Sequence, residues 1–325
     1  MKKAISVVLL LTGIFVFAGI GEAAMSTKEF LELCAKGKPN EIRAAIKNGA
    51  NVNAKTENDV TALMWAASFN PNPEATALLL KSGADVNAKN KSGITALMSA
   101  AEYNSNPKVI ALLLENGADI NAKNKDGSIA LTYAAERNSN PEVVALLLKN
   151  GAEVNAKTKD DWTALMYAAV RNPNPEVTAL LLKNGADVNA KNKDGITALM
   201  RAAGFNSNPE IISLLLKNSA DANAKNKYDM TALMYAAANN SNPKIISLLL
   251  KNGAEVNAKT ENDVTALMWA AVNNPNPEII ALLLKNGADA LVKDNDGKMA
   301  IDYAKGNDAL KNTDVFKRLK EVSGR

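Results

Sequence analysis

Aromatic side chains and arginines recur at fixed spacing along this chain, and these residue types are well suited to binding chemistry. Aromatic rings offer stacking surface, and guanidinium groups pair with carboxylates through parallel hydrogen bonds. The candidate binding residues occupy two helical positions and the loop tips beside them: Trp65, Phe69, Tyr103, Tyr133, Arg137, Trp162, Tyr167, Arg171, Arg201, Phe205, Tyr228, Tyr235, Trp269 and Tyr303. Tyr, Trp and Arg dominate binding hot spots, so we predict a contact surface here.

The residue types that conventional catalysis needs are missing or poorly placed. The chain has no histidine, which excludes a Ser-His-Asp triad and a zinc site built on imidazole. Cys34, the single cysteine, falls at a small apolar position and is interpreted as a core residue. Asp294 to Gly297 is similar to the start of a calcium loop, but Lys305 stands where that loop requires Glu. We therefore predict no enzyme activity, no cofactor and no metal.

A 34-residue period positions all of these side chains. Asn53, Asn87 and Asn121 begin an evenly spaced series, and the segment 55–67 returns unchanged at 259–271. Such self-similarity indicates an array in which each unit packs only on its neighbours. Apolar residues make up 47% of the chain but aromatic residues only 5%. This composition predicts closely stacked helices with a core of aliphatic side chains.

The first helix of each unit is short and strongly apolar on one face. In the unit 55–88, Leu63 and the Ala66–Ala67 pair fall on that face at about 100° per residue and must be buried. Three side chains are therefore predicted to point away from the core: Trp65, Ser68 and Phe69. The alternative is that side chains at the Trp65 position merely fill space between neighbouring repeats.

The second helix of the unit carries clear start and stop signals. Asn72 is the predicted N-cap, Pro73 the first helical residue, and Glu74 lies near the positive end of the helix dipole. Gly83 ends the helix, because the position after the C-cap usually adopts a left-handed backbone. The polar segment that follows predicts an extended hairpin with its tip at 90–93.

Three recurring motifs carry a family resemblance: Thr-Ala-Leu-Met-x-Ala-Ala, Leu-Leu-Leu and Gly-Ala-Asp-Val-Asn-Ala. Together they resemble the ankyrin repeat, which implies an all-α solenoid of helix-turn-helix units with projecting β-hairpin loops. A tetratricopeptide array shares the period but lacks the Gly-Ala-Asp-Val-Asn segment. The chain departs from the ankyrin pattern in having no histidine and a helix connection one residue longer. Methionines such as Met64 are predicted to replace the family's inter-repeat histidine bonds with apolar contacts.

The resemblance and the terminal sequences define the predicted domains. They are a signal peptide at 1–23, an N-terminal capping repeat at 24–54, seven repeats at 55–88, 89–122, 123–156, 157–190, 191–224, 225–258 and 259–292, and a C-terminal capping repeat at 293–325. Ser26 and Glu29 form a predicted capping box in the first unit, and Thr313 begins the last helix. Ser219 replaces the usual Gly, and the left-handed backbone predicted there weakens that junction.

The N-terminus has the layout of a bacterial secretory signal peptide. Lys2 and Lys3 precede an apolar run from Ala4 to Ile20, and small residues follow, Ala23 among them. The alternative is an uncleaved membrane anchor. We predict export to the periplasm or the medium.

These observations predict a non-catalytic scaffold that binds a protein partner through its aromatic and arginine positions. The nearby arginines favour an acidic protein segment as the partner. The alternative is a glycan or cell-wall binding protein, because Trp and Tyr stack on sugar rings. A formal charge of +4 gives no strong attraction to nucleic acid or to an anionic membrane. We predict a monomer without membrane contact after signal cleavage.

Overall fold

In the computed structural model, residues 25–324 are described and form one continuous array of helix pairs. The predicted signal peptide lies outside the described residues, as does Arg325. The described part of the chain forms the following helices: α1 Thr27–Lys36, α2 Pro39–Lys47, α3 Ala62–Phe69, α4 Pro73–Lys81, α5 Ala96–Tyr103, α6 Pro107–Glu115, α7 Ala130–Arg137, α8 Pro141–Lys149, α9 Ala164–Arg171, α10 Pro175–Lys183, α11 Ala198–Phe205, α12 Pro209–Lys217, α13 Ala232–Asn239, α14 Pro243–Lys251, α15 Ala266–Asn273, α16 Pro277–Lys285, α17 Ala300–Ala304 and α18 Asp314–Val322.

The helix boundaries follow the predicted capping signals. The Thr61 hydroxyl accepts a hydrogen bond from the Met64 N–H at 3.2 Å and begins α3. Asn72 caps α4 by accepting from the Glu74 N–H at 2.9 Å, and Pro73 is the first helical residue. Gly83 follows the helix with φ of 88°, which confirms the left-handed stop.

The loops between units project as predicted, but residues 25–324 contain no regular β-strand. Each tip is a tight turn, as in the hydrogen bond from the Thr56 N–H to the Val60 carbonyl at 3.0 Å. The described strand-like pairing is limited to isolated bridges from Lys55 to Thr61 and from Lys259 to Thr265. The hairpins of the sequence interpretation are therefore turns rather than two-stranded ribbons.

The first and last described helices begin at the predicted N-cap residues. Ser26 and Glu29 bond each other's backbone N–H groups at 2.9 and 3.3 Å, which confirms the capping box on α1. Thr313 caps α18 by accepting from the Phe316 N–H at 3.2 Å. Cys34 is fully buried in the first unit, and burial raises the pKa of its thiol to about 12. That shift leaves the thiol protonated and unreactive, as expected of a core residue.

The odd-numbered helices form the inner layer of the array. Their buried faces consist mainly of Ala, Leu and Met, and the small alanines allow neighbouring helices to approach closely. The odd-numbered helices contact one another more extensively than the even-numbered helices do. We call the side formed by the exposed residues of the odd-numbered helices and the loop tips the concave surface, the name that this side has in ankyrin-like solenoids.

A series of buried asparagines, which we call the buried asparagine ladder, connects every pair of neighbouring units. Asn172 is representative: its side-chain amide donates to the Ala135 carbonyl at 3.0 Å and to the Asn138 carbonyl at 3.1 Å in the preceding unit. Its side-chain oxygen accepts from the Asn174 N–H at 3.0 Å. The members are Asn70, Asn104, Asn138, Asn172, Asn206, Asn240, Asn274 and Asn307.

A second series, which we call the outer asparagine ladder, runs along the loops in the opposite sense. Asn53 donates to the Gly83 carbonyl of the following unit at 3.1 Å and accepts from the Asp85 N–H at 3.0 Å. The members are Asn53, Asn87, Asn121, Asn155, Asn189, Asn223 and Asn257. These residues marked the period in the sequence, and the structure shows that they also fix the spacing between loops.

Ser219 occupies the predicted weak position. Its φ is 66°, whereas a glycine occupies the equivalent left-handed position in the other units from Gly49 to Gly287, as at Gly185 with φ of 86°. The Ser219 carbonyl still accepts from the Asn189 amide at 3.0 Å, so the outer asparagine ladder continues through this unit. The cost is confined to the backbone conformation of one non-glycine residue.

Candidate interaction surface

Few side chains of each odd-numbered helix face the concave surface. In α3, only Trp65 and Phe69 are not buried, because the helix packs against α1, α4 and α5. The prediction for Ser68 is wrong, since this residue is buried and its hydroxyl donates to the Met64 carbonyl at 2.7 Å. Because three other helices contact α3, fewer of its side chains are exposed than the sequence predicted.

The Trp65 cluster, which consists of Trp65, Phe69 and Tyr103, is an exposed aromatic patch near the N-terminal end. The ring centroids of Trp65 and Phe69 lie 5.8 Å apart, and those of Phe69 and Tyr103 lie 5.6 Å apart. Phe69 is 52% exposed and Tyr103 is 54% exposed. Trp65 itself packs against the core, and its buried indole N–H has no hydrogen-bond partner. Rings left open to water beside one another are characteristic of interaction sites.

Two of the three candidate arginines are already paired within the protein. Arg137 forms an ion pair with Glu102 and lies 3.9 Å from Glu136, and Arg171 also pairs with Glu136. The side chains of Glu102 and Glu136 are only 12% and 10% exposed. Burial raises the pKa of Glu102, and the hydrogen bond from Tyr103 and the charge of Arg137 offset this effect only in part. Arg137 and Arg171 therefore neutralise carboxylates of the protein itself.

Glu102 and Glu136 were missed by the sequence interpretation. Each stands one residue before the candidate position of its own helix, and its arginine partner lies 35 residues later, on the next odd-numbered helix. A Glu and an Arg separated by one repeat plus one residue were the signal from which these ion pairs could have been predicted. The pairing means that three consecutive arginine-bearing repeats do not make an open anion site.

The Arg201 cluster, which consists of Trp162, Tyr167, Arg201 and Phe205, lies near the middle of the array. The Arg201 Cζ atom is 5.2 Å from the centroid of the Trp162 ring and 4.5 Å from that of Phe205. The rings of Trp162 and Tyr167 lie 5.1 Å apart. Burial lowers the pKa of the Arg201 guanidinium, although Tyr235 acts in the opposite sense. The Arg201 Nε is buried and has no hydrogen-bond partner.

The remaining tyrosines on the inner helices are anchored to the loops. The Asn124 amide donates to the Tyr133 hydroxyl at 2.9 Å, and burial raises the pKa of Tyr133 to about 12. The Asn226 amide donates to the Tyr235 hydroxyl at 3.0 Å. These rings are half-buried and pack against the core. This arrangement favours the space-filling alternative at Tyr133 and Tyr235.

The candidate residues of the last two odd-numbered helices, α15 and α17, are also partly covered. Trp269 packs against the core, and its buried indole N–H has no partner. The Tyr303 hydroxyl donates to Asp294, and this hydrogen bond raises the pKa of Tyr303 to about 12. Asp294 also accepts from the Asp296 and Lys298 N–H groups, so its carboxylate shapes the turn. None of these side chains is as exposed as Phe69 or Tyr103.

Tyr228 is an exposed aromatic residue at a loop tip. The Lys227 Nζ lies 5.0 Å from the centroid of its ring, and Lys227 forms an ion pair with Asp194 of the preceding tip. Tyr228 belongs to neither aromatic cluster. The structure therefore separates the candidate residues into two clusters and several isolated side chains rather than one continuous stripe.

Three further features bear on the kind of site. Among residues 25–324, no group of His, Cys, Asp or Glu side chains is arranged to hold a metal ion. Within the same residues, every helix is too short or too polar to cross a membrane. A shallow depression of about 420 Å³ lies on the even-numbered helices between Pro73 and Glu115, away from the candidate residues.

Comparison with known families agrees with this architecture. The family model described as "Ankyrin repeats (3 copies)" matches residues 31–124, 97–192, 169–260 and 238–322. These matches span most of the chain, which belongs to the ankyrin repeat family. Ankyrin repeats indicate a protein–protein interaction scaffold, a class that is generally non-catalytic. A comparison with curated proteins found no match.

Proposed function

We propose that this protein is a non-catalytic scaffold that binds a protein partner along its concave surface, through the Trp65 and Arg201 clusters. The observation that carries the proposal is the exposure of Phe69, Tyr103 and Phe205 at one equivalent helix position. The same position holds Asn239 and Asn273 in the later repeats. At this helix position, exposed rings are thus confined to the first five of the seven repeats.

The separation of the two clusters fits a long contact. Trp65 and Arg201 occupy equivalent positions four repeats apart. Helices pack at about 8–10 Å, so the clusters are roughly 40 Å apart along the array. An extended or helical segment of a partner protein matches this length. Between the clusters, the ion pairs of Arg137 with Glu102 and of Arg171 with Glu136 form a polar stretch of surface whose charges balance.

A capture experiment with matched variants tests the proposal. The Phe69→Ala, Tyr103→Ala double variant removes the exposed rings, and Asn239→Ala, Asn273→Ala changes the same helix position outside both clusters. Both variants retain the buried positions, so circular dichroism should match that of the unmodified protein. We expect partners from the native cell envelope or medium to be lost with the first variant and retained with the second.

Two results would contradict this function. Capture of the same proteins by both variants would show that the aromatic clusters do not form the contact surface. A saturable change in tryptophan fluorescence with cell-wall fragments, in the absence of protein partners, would instead favour glycan binding.

We also propose that the protein acts after export. The basic residues Lys2 and Lys3, the apolar run and Ala23 support this proposal. N-terminal sequencing of the protein purified from its native cells should begin at Ala24. A sequence that begins at Met1 would refute cleavage and favour the anchor alternative.

A further inference from the structure

Arg201 differs from the other two concave arginines in having no carboxylate partner. Arg137 and Arg171 pair with Glu102 and Glu136, whereas Arg201 forms no ion pair with any described residue. The helix position that holds Glu102 and Glu136 in earlier repeats holds Val170 and Gly204 beside Arg201.

The loop tips near Arg201 also fail to supply an anion. Asp160 lies 3.8 Å from Lys193, and Asp194 pairs with Lys227, so these carboxylates are matched with lysines. The positive charge of Arg171 further lowers the pKa of Arg201. The guanidinium is therefore a positive charge whose hydrogen-bond donors have no described acceptor.

The rings around Arg201 hold its guanidinium in place without satisfying its N–H groups. Trp162 and Phe205 offer their π-electrons at 5.2 and 4.5 Å, an interaction that stabilises a cation without accepting its N–H hydrogen bonds. A half-buried charge in partly dehydrated surroundings interacts more strongly with a counter-ion than one in open water does. A fixed orientation also reduces the entropy lost when a ligand binds.

We propose that the Arg201 cluster binds the carboxylate of an Asp or Glu side chain of the protein partner. This inference rests on the proposed function and specifies the chemistry of one contact. A planar carboxylate matches the two donor positions on one edge of a guanidinium. A phosphate group carries more negative charge and is best bound by several cations. Arg171 cannot serve as a second cation here, because Glu136 already neutralises it. The site therefore offers about one unpaired positive charge.

A double-mutant cycle on selected peptides tests this assignment. A phage-displayed library of random dodecapeptides is panned on the protein, and the best binders are resynthesised with each acidic residue changed to its amide. Affinities are then measured for the unmodified protein, Arg201→Gln and Arg171→Gln. The last variant is the matched control, because Arg171 lies on the same surface but already has a partner. If Arg201→Gln does not fold, Arg201→Met takes its place and retains an apolar stem.

The expected result is coupling between Arg201 and one acidic residue of the peptide. Arg201→Gln should weaken binding by about tenfold or more, and Arg171→Gln by less than about threefold. The amide substitution in the peptide should cost a similar factor with the unmodified protein and almost nothing further with Arg201→Gln. Equal losses in both backgrounds would overturn the carboxylate assignment.

A third variant distinguishes failure of this inference from failure of the proposed function. Peptides that lose affinity for Phe69→Ala, Tyr103→Ala but bind Arg201→Gln as tightly as the unmodified protein would overturn only the carboxylate assignment. Peptides that are affected by neither substitution, or a library that yields no binder, would contradict the concave contact surface as well.

Discussion

Replacing Asn172 by alanine should weaken one junction of the array more than any surface substitution does. The side chain of Asn172 donates to the carbonyls of Ala135 and Asn138 and accepts from the Asn174 N–H. Alanine removes all of these hydrogen bonds and leaves buried carbonyl groups without a donor. Each such bond contributes about 1 kcal/mol net, so the expected loss in the free energy of unfolding is about 3 kcal/mol.

Asn206 provides a matched control at the next rung of the same ladder. Its amide makes one described donation, to the Ala169 carbonyl at 2.9 Å, and its oxygen accepts from the Asn208 N–H at 2.9 Å. Asn206→Ala should therefore cost about 2 kcal/mol, or about 1 kcal/mol less than Asn172→Ala. A second control, Asn172→Asp, retains the acceptor for the Asn174 N–H but removes the donor and buries a charge. It should be no more stable than the alanine variant at neutral pH.

Urea denaturation followed by far-ultraviolet circular dichroism measures these differences. An array of repeats can separate into independently unfolding parts when one junction weakens, so the slope of the transition is compared as well as its midpoint. A loss below 1 kcal/mol for Asn172→Ala would refute the role assigned to the ladder. Equal losses for Asn172→Ala and Asn206→Ala would refute the count of hydrogen bonds on which the magnitude rests.

Three other substitutions should change the free energy of unfolding in urea by about 1 kcal/mol each. Thr178→Val should stabilise the protein, because the buried Thr178 hydroxyl has no partner and valine has the same shape; no gain would indicate a hydrogen bond that the structure does not show. Ser219→Gly should also stabilise it by removing the left-handed strain at φ of 66°; a loss of stability would contradict that reasoning. Tyr235→Phe should destabilise it by removing the bond from Asn226, whereas Tyr167→Phe, whose hydroxyl has no described hydrogen bond, should not; equal effects of the two would argue against the tyrosine anchor.

Structural features that depend on residues close together in the sequence could be predicted. The cap at Asn72, the left-handed backbone at Ser219 and the buried Cys34 all follow from local patterns that repeat in phase. Repetition strengthened each of these predictions, because the same signal returned at the same position in successive units.

The interactions between units were harder to predict. Asn70 lies in the connection between α3 and α4, and no local pattern indicates that its amide crosses to the carbonyls of Cys34 and Gly37. Likewise, the pairing of Arg137 with Glu102 depends on how far one helix is rotated and displaced relative to the next. A period gives the separation along the chain, but it does not give the angle at which two short helices stack.

The candidate surface was predicted in part. The exposure of Phe69 and Tyr103 follows from their helical position. The sequence could not separate these rings from Tyr133 and Tyr235, because the difference lies in cover from neighbouring helices and in hydrogen bonds to the loops.

The opposite directions of the two asparagine ladders make the units interchangeable. Each unit presents donors to the unit before it through the buried ladder and to the unit after it through the outer ladder. A unit inserted or removed as a whole 34-residue block would find matching acceptors on both sides. The array can therefore become longer or shorter when whole repeats are duplicated or deleted in its coding sequence, without compensating substitutions in the two asparagine ladders. The identical segments at 55–67 and 259–271 are what such copying leaves behind. Selection can then alter the few uncovered side chains of each copy independently.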